Sequence, residues 1–253
     1  MGPPLLWLHG FTQTRSSAAG FRSILAEHRS ILTVDLPGHG DAASVSGSLW
    51  EVAAMVAAII EEPLDVGGYS MGGRVALHLA LAHPDRVRRL VVLGATRGIE
   101  DDDERRARRE RDNDLAERLL RIGAEEFLRE WLAQPMFATL PADARELAAR
   151  SRDAAGLARS LRDAGTGTQE WLGERLRSLR PAMLALAGER DTKFSAEATA
   201  LATTVPRGRR VLVPGAGHAA HLERPDECAA LIEAFLAERE EDDEKSAETE
   251  LHT

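Results

Sequence analysis

The sequence predicts an α/β fold, a mainly parallel sheet flanked by helices, with a helical cap inserted between two strands. Two observations carry this. Short apolar runs, each released into Gly, Pro or a polar turn, alternate with longer stretches of helical spacing, as in a parallel sheet covered on both faces. After Leu93 the alternation stops, and Gly98 to Arg180 carries helical pattern without a convincing strand.

The runs Leu5–Leu8, Ile31–Asp35, Leu64–Tyr69, Arg89–Leu93, Met183–Ala187 and Arg210–Val213 are the expected strands. Between them, Leu49–Ile60, Met71–Ala82 and Pro225–Leu236 have the length and apolar spacing of helices. The first strand follows Met1 by a few residues, so strands that would precede it are expected to be missing. The insertion is broken at Pro135, at Pro141 and at Gly165-Thr166-Gly167. It opens with Glu100-Asp101-Asp102-Asp103-Glu104 and continues into the arginine-rich Arg105 to Arg111. Acid first and base later complements a helix dipole, so a solvated helix accounts for most of these charges.

The expected organisation is one domain over 1–237, with its core in 1–97 and 181–237 and its cap in 98–180. A tail, 238–253, is dominated by Glu, Asp and Lys, has little to bury, and is expected to be disordered and dispensable for chemistry. At 253 residues and 43% hydrophobic content the chain can bury one sizeable core. A formal charge of −9 argues against a nucleic-acid or anionic-membrane partner, although local arginine clusters can still bind small anions. Cys228 is the single cysteine, which rules out an intrachain disulfide or a multi-thiolate metal site and leaves core packing as its role. The start lacks a basic segment, and no apolar stretch approaches the roughly 20 residues that span a bilayer. A cytoplasmic protein, monomeric by default, is the expectation.

Gly68-Tyr69-Ser70-Met71-Gly72 satisfies G-x-S-x-G where an apolar strand ends and an Ala/Leu-rich helix begins. Small residues there let a strained turn hold a serine hydroxyl out at the sheet edge, with the N–H groups of the helix start aimed at developing negative charge. The alternative is a serine in an ordinary glycine-rich turn. A serine hydroxyl is inert at neutral pH without a base, and Asp191 and His218 each follow an expected strand, in the chain order Ser, Asp, His. Ser70, Asp191 and His218 are therefore the expected catalytic triad. His221 is a rival base, otherwise a substrate-side or capping residue. Leu8-His9-Gly10-Phe11 ends the first strand and is expected to supply an oxyanion-hole N–H from Phe11 beside that of Met71, with His9 a packed loop residue. Asp35-Leu36-Pro37-Gly38-His39-Gly40 reads as a structural turn.

These elements together resemble the α/β-hydrolase superfamily over nearly the whole chain. A fold does not choose a reaction. More specific marks lie in Gly68 to Arg74, in Arg108 to Asp112, in Trp131 with Gln134-Pro135-Met136-Phe137, in Arg150-Ser151, in Gly165-Thr166-Gly167 and in Gly188 to Phe194. With these the chain resembles the 2-succinyl-6-hydroxy-2,4-cyclohexadiene-1-carboxylate synthases, lyases of menaquinone biosynthesis. The resemblance implies elimination of pyruvate from an enolpyruvyl cyclohexene carrying a succinyl group, with no cofactor or metal. A substrate with three carboxylates needs fixed cations, for which arginine offers bidentate hydrogen bonding. Arg74, one turn past Ser70, is the best candidate, with a solvated helix residue as the alternative. Arg108, Arg150 and Lys193 rest more on the resemblance, and Arg109, Arg111 and Arg152 compete with them. Trp131 and Phe137 form either an apolar wall beside the substrate ring or cap core. Two other functions use the same residues differently: a carboxylesterase acting on a small anionic ester through an acyl-enzyme, and a non-catalytic binding protein that keeps the fold.

Overall fold

Six parallel strands form one sheet in the order β2-β1-β3-β4-β5-β6 in the computed structural model, which describes residues 1–238. The elements run β1 (Gly2–Leu8), α1 (Ala19–Ala26), β2 (Arg29–Thr33), α2 (Leu49–Ala58), β3 (Leu64–Tyr69), α3 (Met71–Ala82) and β4 (Val87–Leu93). They continue with α4 (Asp102–Leu132), α5 (Ala154–Ala164), β5 (Ala182–Gly188), α6 (Thr192–Thr204), β6 (Gly208–Val213), α7 (Ala220–Glu223) and α8 (Pro225–Leu236). Successive side chains alternate between the two faces of the sheet. Leu6, Leu8, Val66 and Val92 pack with α2, α3 and α6, while Leu5, Trp7, Val91 and Leu93 pack with α1 and α8. With both faces covered, the strands need apolar residues at consecutive positions, which is why they stand out as short apolar runs.

All six expected strands are present, and β2, β4, β5 and β6 begin one or two residues earlier than expected. For β2, β4 and β6 the apolar run understates the strand because Arg29-Ser30, Arg88 and Gly208-Arg209 sit at or near its start. Arg29, which opens β2, is buried and donates to Asp65 at 2.8 Å and to Glu233 at 2.7 Å. Outside the cap, three helices escaped the sequence reading, of which α7 is a single turn of four residues. α1 is only eight residues long and starts at Ala18 with no side-chain cap, while Thr-rich α6 dilutes its apolar spacing.

Between β4 and β5 the described residues contain no strand. Ala116, Leu119 and Phe127 of α4 pack on Leu157, Ala158 and Leu161 of α5, giving the cap its own small core. Asp101 caps α4 by accepting from the Glu104 N–H at 2.8 Å, and Asp102, Asp103 and Glu104 fill the first turn. Gly123 interrupts α4 with φ 81°, a left-handed conformation that glycine adopts without steric cost; the sequence reading passed over this break. Glu238, the first residue of the acidic tail, is held in place: its carbonyl accepts from Arg89 at 3.1 Å and its carboxylate pairs with Arg209. The rest of the tail expectation lies outside the described residues. Among those, no helix is long and apolar enough to cross a membrane.

The chain passes from β1 to β2 on one side and returns to β3 on the other, so the loops after β1 and β3 diverge. The crevice at such a reversal of strand order, beyond the carboxyl ends of the strands, is where open α/β sheets bind ligands.

Candidate active site

Ser70 sits at that crevice, between β3 and α3, with φ 51° and ψ −106°. A non-glycine residue held there stores about 1–3 kcal/mol of strain. Its N–H donates to the Leu93 carbonyl at 2.8 Å, tying the turn to β4, and its carbonyl accepts from Arg74 N–H at 3.0 Å, starting α3. The glycines are required by close backbone approach: a Cβ on Gly72 would lie 2.1 Å from the Leu8 carbonyl oxygen.

Asp191 follows β5 and serves two partners. Oδ1 accepts from Phe194 N–H at 3.3 Å, capping α6, and Oδ2 lies 2.7 Å from Nδ1 of His218, which follows β6. With the Nδ1 proton donated to Asp191, Nε2 is left as the basic atom of the ring. The rings of Phe194 at 4.5 Å and Tyr69 at 5.3 Å flank the imidazole, which is almost completely buried.

The loop after β1 fixes one peptide plane. The Gly10 carbonyl accepts from His9 Nδ1–H at 2.9 Å and from Gln13 N–H at 3.1 Å. Because the peptide is trans and planar, the Phe11 N–H points away from that pinned carbonyl. Among the described residues, neither the Phe11 nor the Met71 N–H donates to a protein acceptor. His9 accepts from Leu36 N–H at 3.0 Å through Nε2, and burial lowers its pKa to about 4, so it is a neutral, packed residue. His221 is also core: it is fully buried, 4.3 Å from the Tyr69 ring, with a pKa lowered to about 3 by burial. That corrects its reading as a substrate-side or capping residue.

Phe11, Ser70, Met71 and Asp191 line a cavity of about 510 Å³ between sheet and cap, and the cap's Trp131 closes over it. Arg74, Arg108, Arg111 and Lys193 supply its cations. Ser70, His218, Phe137 and Arg150 line a smaller adjoining recess. Trp131 packs edge-on against Phe11 at 5.1 Å and borders both spaces, while Phe137 is buried and borders the recess alone. Lys193 stands over the Phe194 ring at 5.3 Å. Arg108 is paired with Asp112 at 2.8 Å, and exposed Arg109 and Arg152 do not line the cavity. Sequence reasoning missed Asp112 as a partner, although its i, i+4 spacing from Arg108 is a readable signal. Among the described residues no group of His, Cys, Asp and Glu is arranged to hold a metal ion.

Among the described residues, four arginines are buried, and they divide into two kinds. At the far end of the sheet, Arg29 pairs with Asp65 and Glu233, and Arg89 lies 3.8 Å from Glu238. At the site, Arg74 donates to the Ala164 carbonyl at 2.8 Å, and Arg150 donates to the Arg145 carbonyl at 2.8 Å and the Thr12 hydroxyl at 2.7 Å. Among the described residues no carboxylate pairs with either. Burial lowers the pKa of both, that of Arg74 to about 10, which leaves both charged at neutral pH. Asp112 acts on Arg74 and Glu146 on Arg150 from beyond ion-pair distance, and a buried cation with no carboxylate in contact is costly, a cost that an anionic ligand relieves.

A parallel sheet with a strained strand-to-helix serine turn defines the class of α/β hydrolases, and the alpha/beta hydrolase family model matches residues 5–231. The 2-succinyl-6-hydroxy-2,4-cyclohexadiene-1-carboxylate synthase of Serratia proteamaculans is 35% identical over 243 residues, covering 92% of this chain and 93% of that protein. Its counterpart from an Enterobacter species is 34% identical over 248 residues, covering 95% and 94%. The solved structure of MenH from S. aureus has a TM-score of 0.86 at 30% identity, covering 92% of this chain and 93% of that one. Within the α/β hydrolases, the chain belongs to the family of 2-succinyl-6-hydroxy-2,4-cyclohexadiene-1-carboxylate synthases.

Proposed function

We propose that the protein eliminates pyruvate from 2-succinyl-5-enolpyruvyl-6-hydroxy-3-cyclohexene-1-carboxylate, giving 2-succinyl-6-hydroxy-2,4-cyclohexadiene-1-carboxylate. The observation that carries this reading is the pair of buried arginines, Arg74 and Arg150, which lack acidic partners and flank Ser70 on its two sides. A substrate with three carboxylates supplies the missing counter-charges, with Arg108, Arg111 and Lys193 at the wider cavity.

In this mechanism His218, oriented by Asp191, accepts the Ser70 proton as the serine oxygen removes the ring C2 proton, α to the succinyl ketone. The electron pair moves toward the ketone oxygen, where the N–H groups of Phe11 and Met71 stabilise the charge. As the pair returns, the ring double bond shifts and the C5–O bond breaks, leaving the 2,4-diene. Enolpyruvate departs, takes up a proton at carbon and becomes pyruvate. No acyl-enzyme forms, so Ser70 acts as a proton carrier while Trp131 and Phe11 wall the ring.

The test supplies purified protein with the enolpyruvyl precursor and follows pyruvate and diene together, corrected for spontaneous elimination. Equal appearance of both, reduced at least a thousandfold in Ser70→Ala, is expected. Unchanged elimination in that variant refutes the role of Ser70. No acceleration over background, with turnover of a small anionic ester instead, moves the function to hydrolysis.

A further inference from the structure

Thr12 is completely buried and holds φ 69°, a conformation β-branched residues avoid. Each of its polar groups has a partner, one in the core and two in the cap. Its N–H donates to His39 Nε2 at 3.2 Å, in the turn after β2. Its carbonyl accepts from Ser151 N–H at 2.8 Å, and its hydroxyl accepts from Arg150 Nη1 at 2.7 Å, both in the cap. Phe11, which lines the cavity and whose N–H has no protein acceptor among the described residues, is its immediate neighbour. His39 donates through Nδ1 to the Pro37 carbonyl at 3.0 Å, which leaves Nε2 as the acceptor that Thr12 requires.

We infer that Thr12 is a positioning residue that couples carboxylate capture by Arg150 to the aim of the Phe11 N–H. The substrate side of this inference rests on the proposed function. Held between core and cap, the backbone at Thr12 keeps its unfavourable φ only while the three contacts persist. That φ fixes the direction in which the chain leaves Phe11. A carboxylate bound to Arg150 draws the guanidinium to one position, and the Thr12 hydroxyl transmits that position to the loop carrying the oxyanion donor. Arg150 therefore contributes to kcat as well as to KM, through a residue that touches no substrate.

Thr12→Val removes the hydroxyl and keeps the β-branched shape, and Thr12→Ser restores the hydroxyl. In the elimination assay Thr12→Val is expected to lower kcat about tenfold and raise KM several-fold, with Thr12→Ser within about threefold of wild type in both. A rise in KM with kcat unchanged means that Thr12 only anchors Arg150, and overturns the coupling. So does a thermal shift with both constants unchanged, which is the signature of a merely structural contact. A second readout does not need the lyase reaction: the rate at which an uncharged alkyl fluorophosphonate labels Ser70, which depends on the oxyanion N–H groups and offers Arg150 no carboxylate. Thr12→Val is expected to slow this labelling about tenfold and Thr12→Ser to restore it. Equal labelling rates overturn the inference even if the protein catalyses a different reaction, and absent pyruvate release with slowed labelling overturns only the substrate.

Discussion

Replacing Asp191 by Asn sets two jobs of one side chain against each other. The carboxylate accepts at both oxygens, from His218 Nδ1–H at 2.7 Å and from Phe194 N–H at 3.3 Å. An amide has one accepting edge and one donating edge. If its oxygen keeps the α6 cap, its NH₂ faces Nδ1, which must then accept, and the ring proton moves to Nε2, the atom that receives the serine proton in the proposed mechanism. A triad histidine in the wrong tautomer costs a factor of about 10⁴ in kcat, or roughly 5.5 kcal/mol of barrier. If the amide turns round, the tautomer survives but the cap is lost, at about 0.5–2 kcal/mol and about 2–4 °C in Tm per kcal/mol. Pyruvate release coupled to a lactate dehydrogenase reaction gives kcat, and differential scanning fluorimetry gives Tm. Asp191→Asn is expected to lower kcat by about 10³–10⁴ with Tm nearly unchanged, because the Phe194 N–H can only donate and so holds the amide oxygen, whereas the imidazole can change tautomer and accept from the NH₂, so both contacts persist and the loss falls on the transition state. A kcat within tenfold of wild type at unchanged Tm refutes the reasoning, since no orientation of the amide does both jobs.

The two kinds of buried arginine respond in opposite ways. Arg74→Met keeps an unbranched apolar stem but removes the charged donor, so KM is expected to rise about 100-fold, some 2.7 kcal/mol, with kcat within a few-fold of wild type; a KM unchanged in steady-state assays contradicts the placement of Arg74 against substrate. Arg29→Met strands Asp65 without its nearest partner and is expected to cost about 3–5 kcal/mol in urea unfolding while leaving KM alone. Stability should also fall steeply in acid. Burial lowers the pKa values of His9 and His78 to about 4 and of His39 and His221 to about 3, so in the unfolded chain these groups take up protons below about pH 6.5 that the folded state refuses. Their contribution is complete above pH 6.5 and is lost as pH falls toward 4, by up to about 1.4 kcal/mol per pH unit for each histidine. Unfolding free energies from urea titrations at pH 7, 6 and 5 check this, and a flat profile over that range contradicts the burial of these rings.

Much of the architecture was legible because it follows local rules. A strand buried on both faces must be apolar, and a turn in which a Cβ on residue 72 would lie 2.1 Å from the Leu8 carbonyl oxygen must be glycine. What escaped depends on long-range partners. Arg29 looks like a strand breaker until Asp65 and Glu233 arrive from β3 and α8, and Thr12 looks like any loop threonine until the cap, some 140 residues later, presents Arg150 and Ser151. The cap arginines were ambiguous for the same reason: in a charged helix, facing the cavity at 111 or the solvent at 109 is decided by how α4 packs on α5.

The residues placed at the site share one physical economy. Asp191 holds a helix start while it orients His218, Arg74 holds the end of α5 through the Ala164 carbonyl, and Arg150 holds Thr12. Each has a structural bond that fixes its geometry before ligand arrives and a second capacity left for the ligand or the proton. A long arginine immobilised by ligand binding loses about 0.5–1.5 kcal/mol of side-chain freedom at that moment. Arg74 and Arg150 have lost it on folding, so the electrostatic gain from a bound carboxylate is offset less. The proposed role also accounts for neutral oxygens, rather than acids, holding these two arginines: a carboxylate partner would compete with the proposed substrate for the guanidinium, whereas a carbonyl or hydroxyl positions it and leaves its charge available.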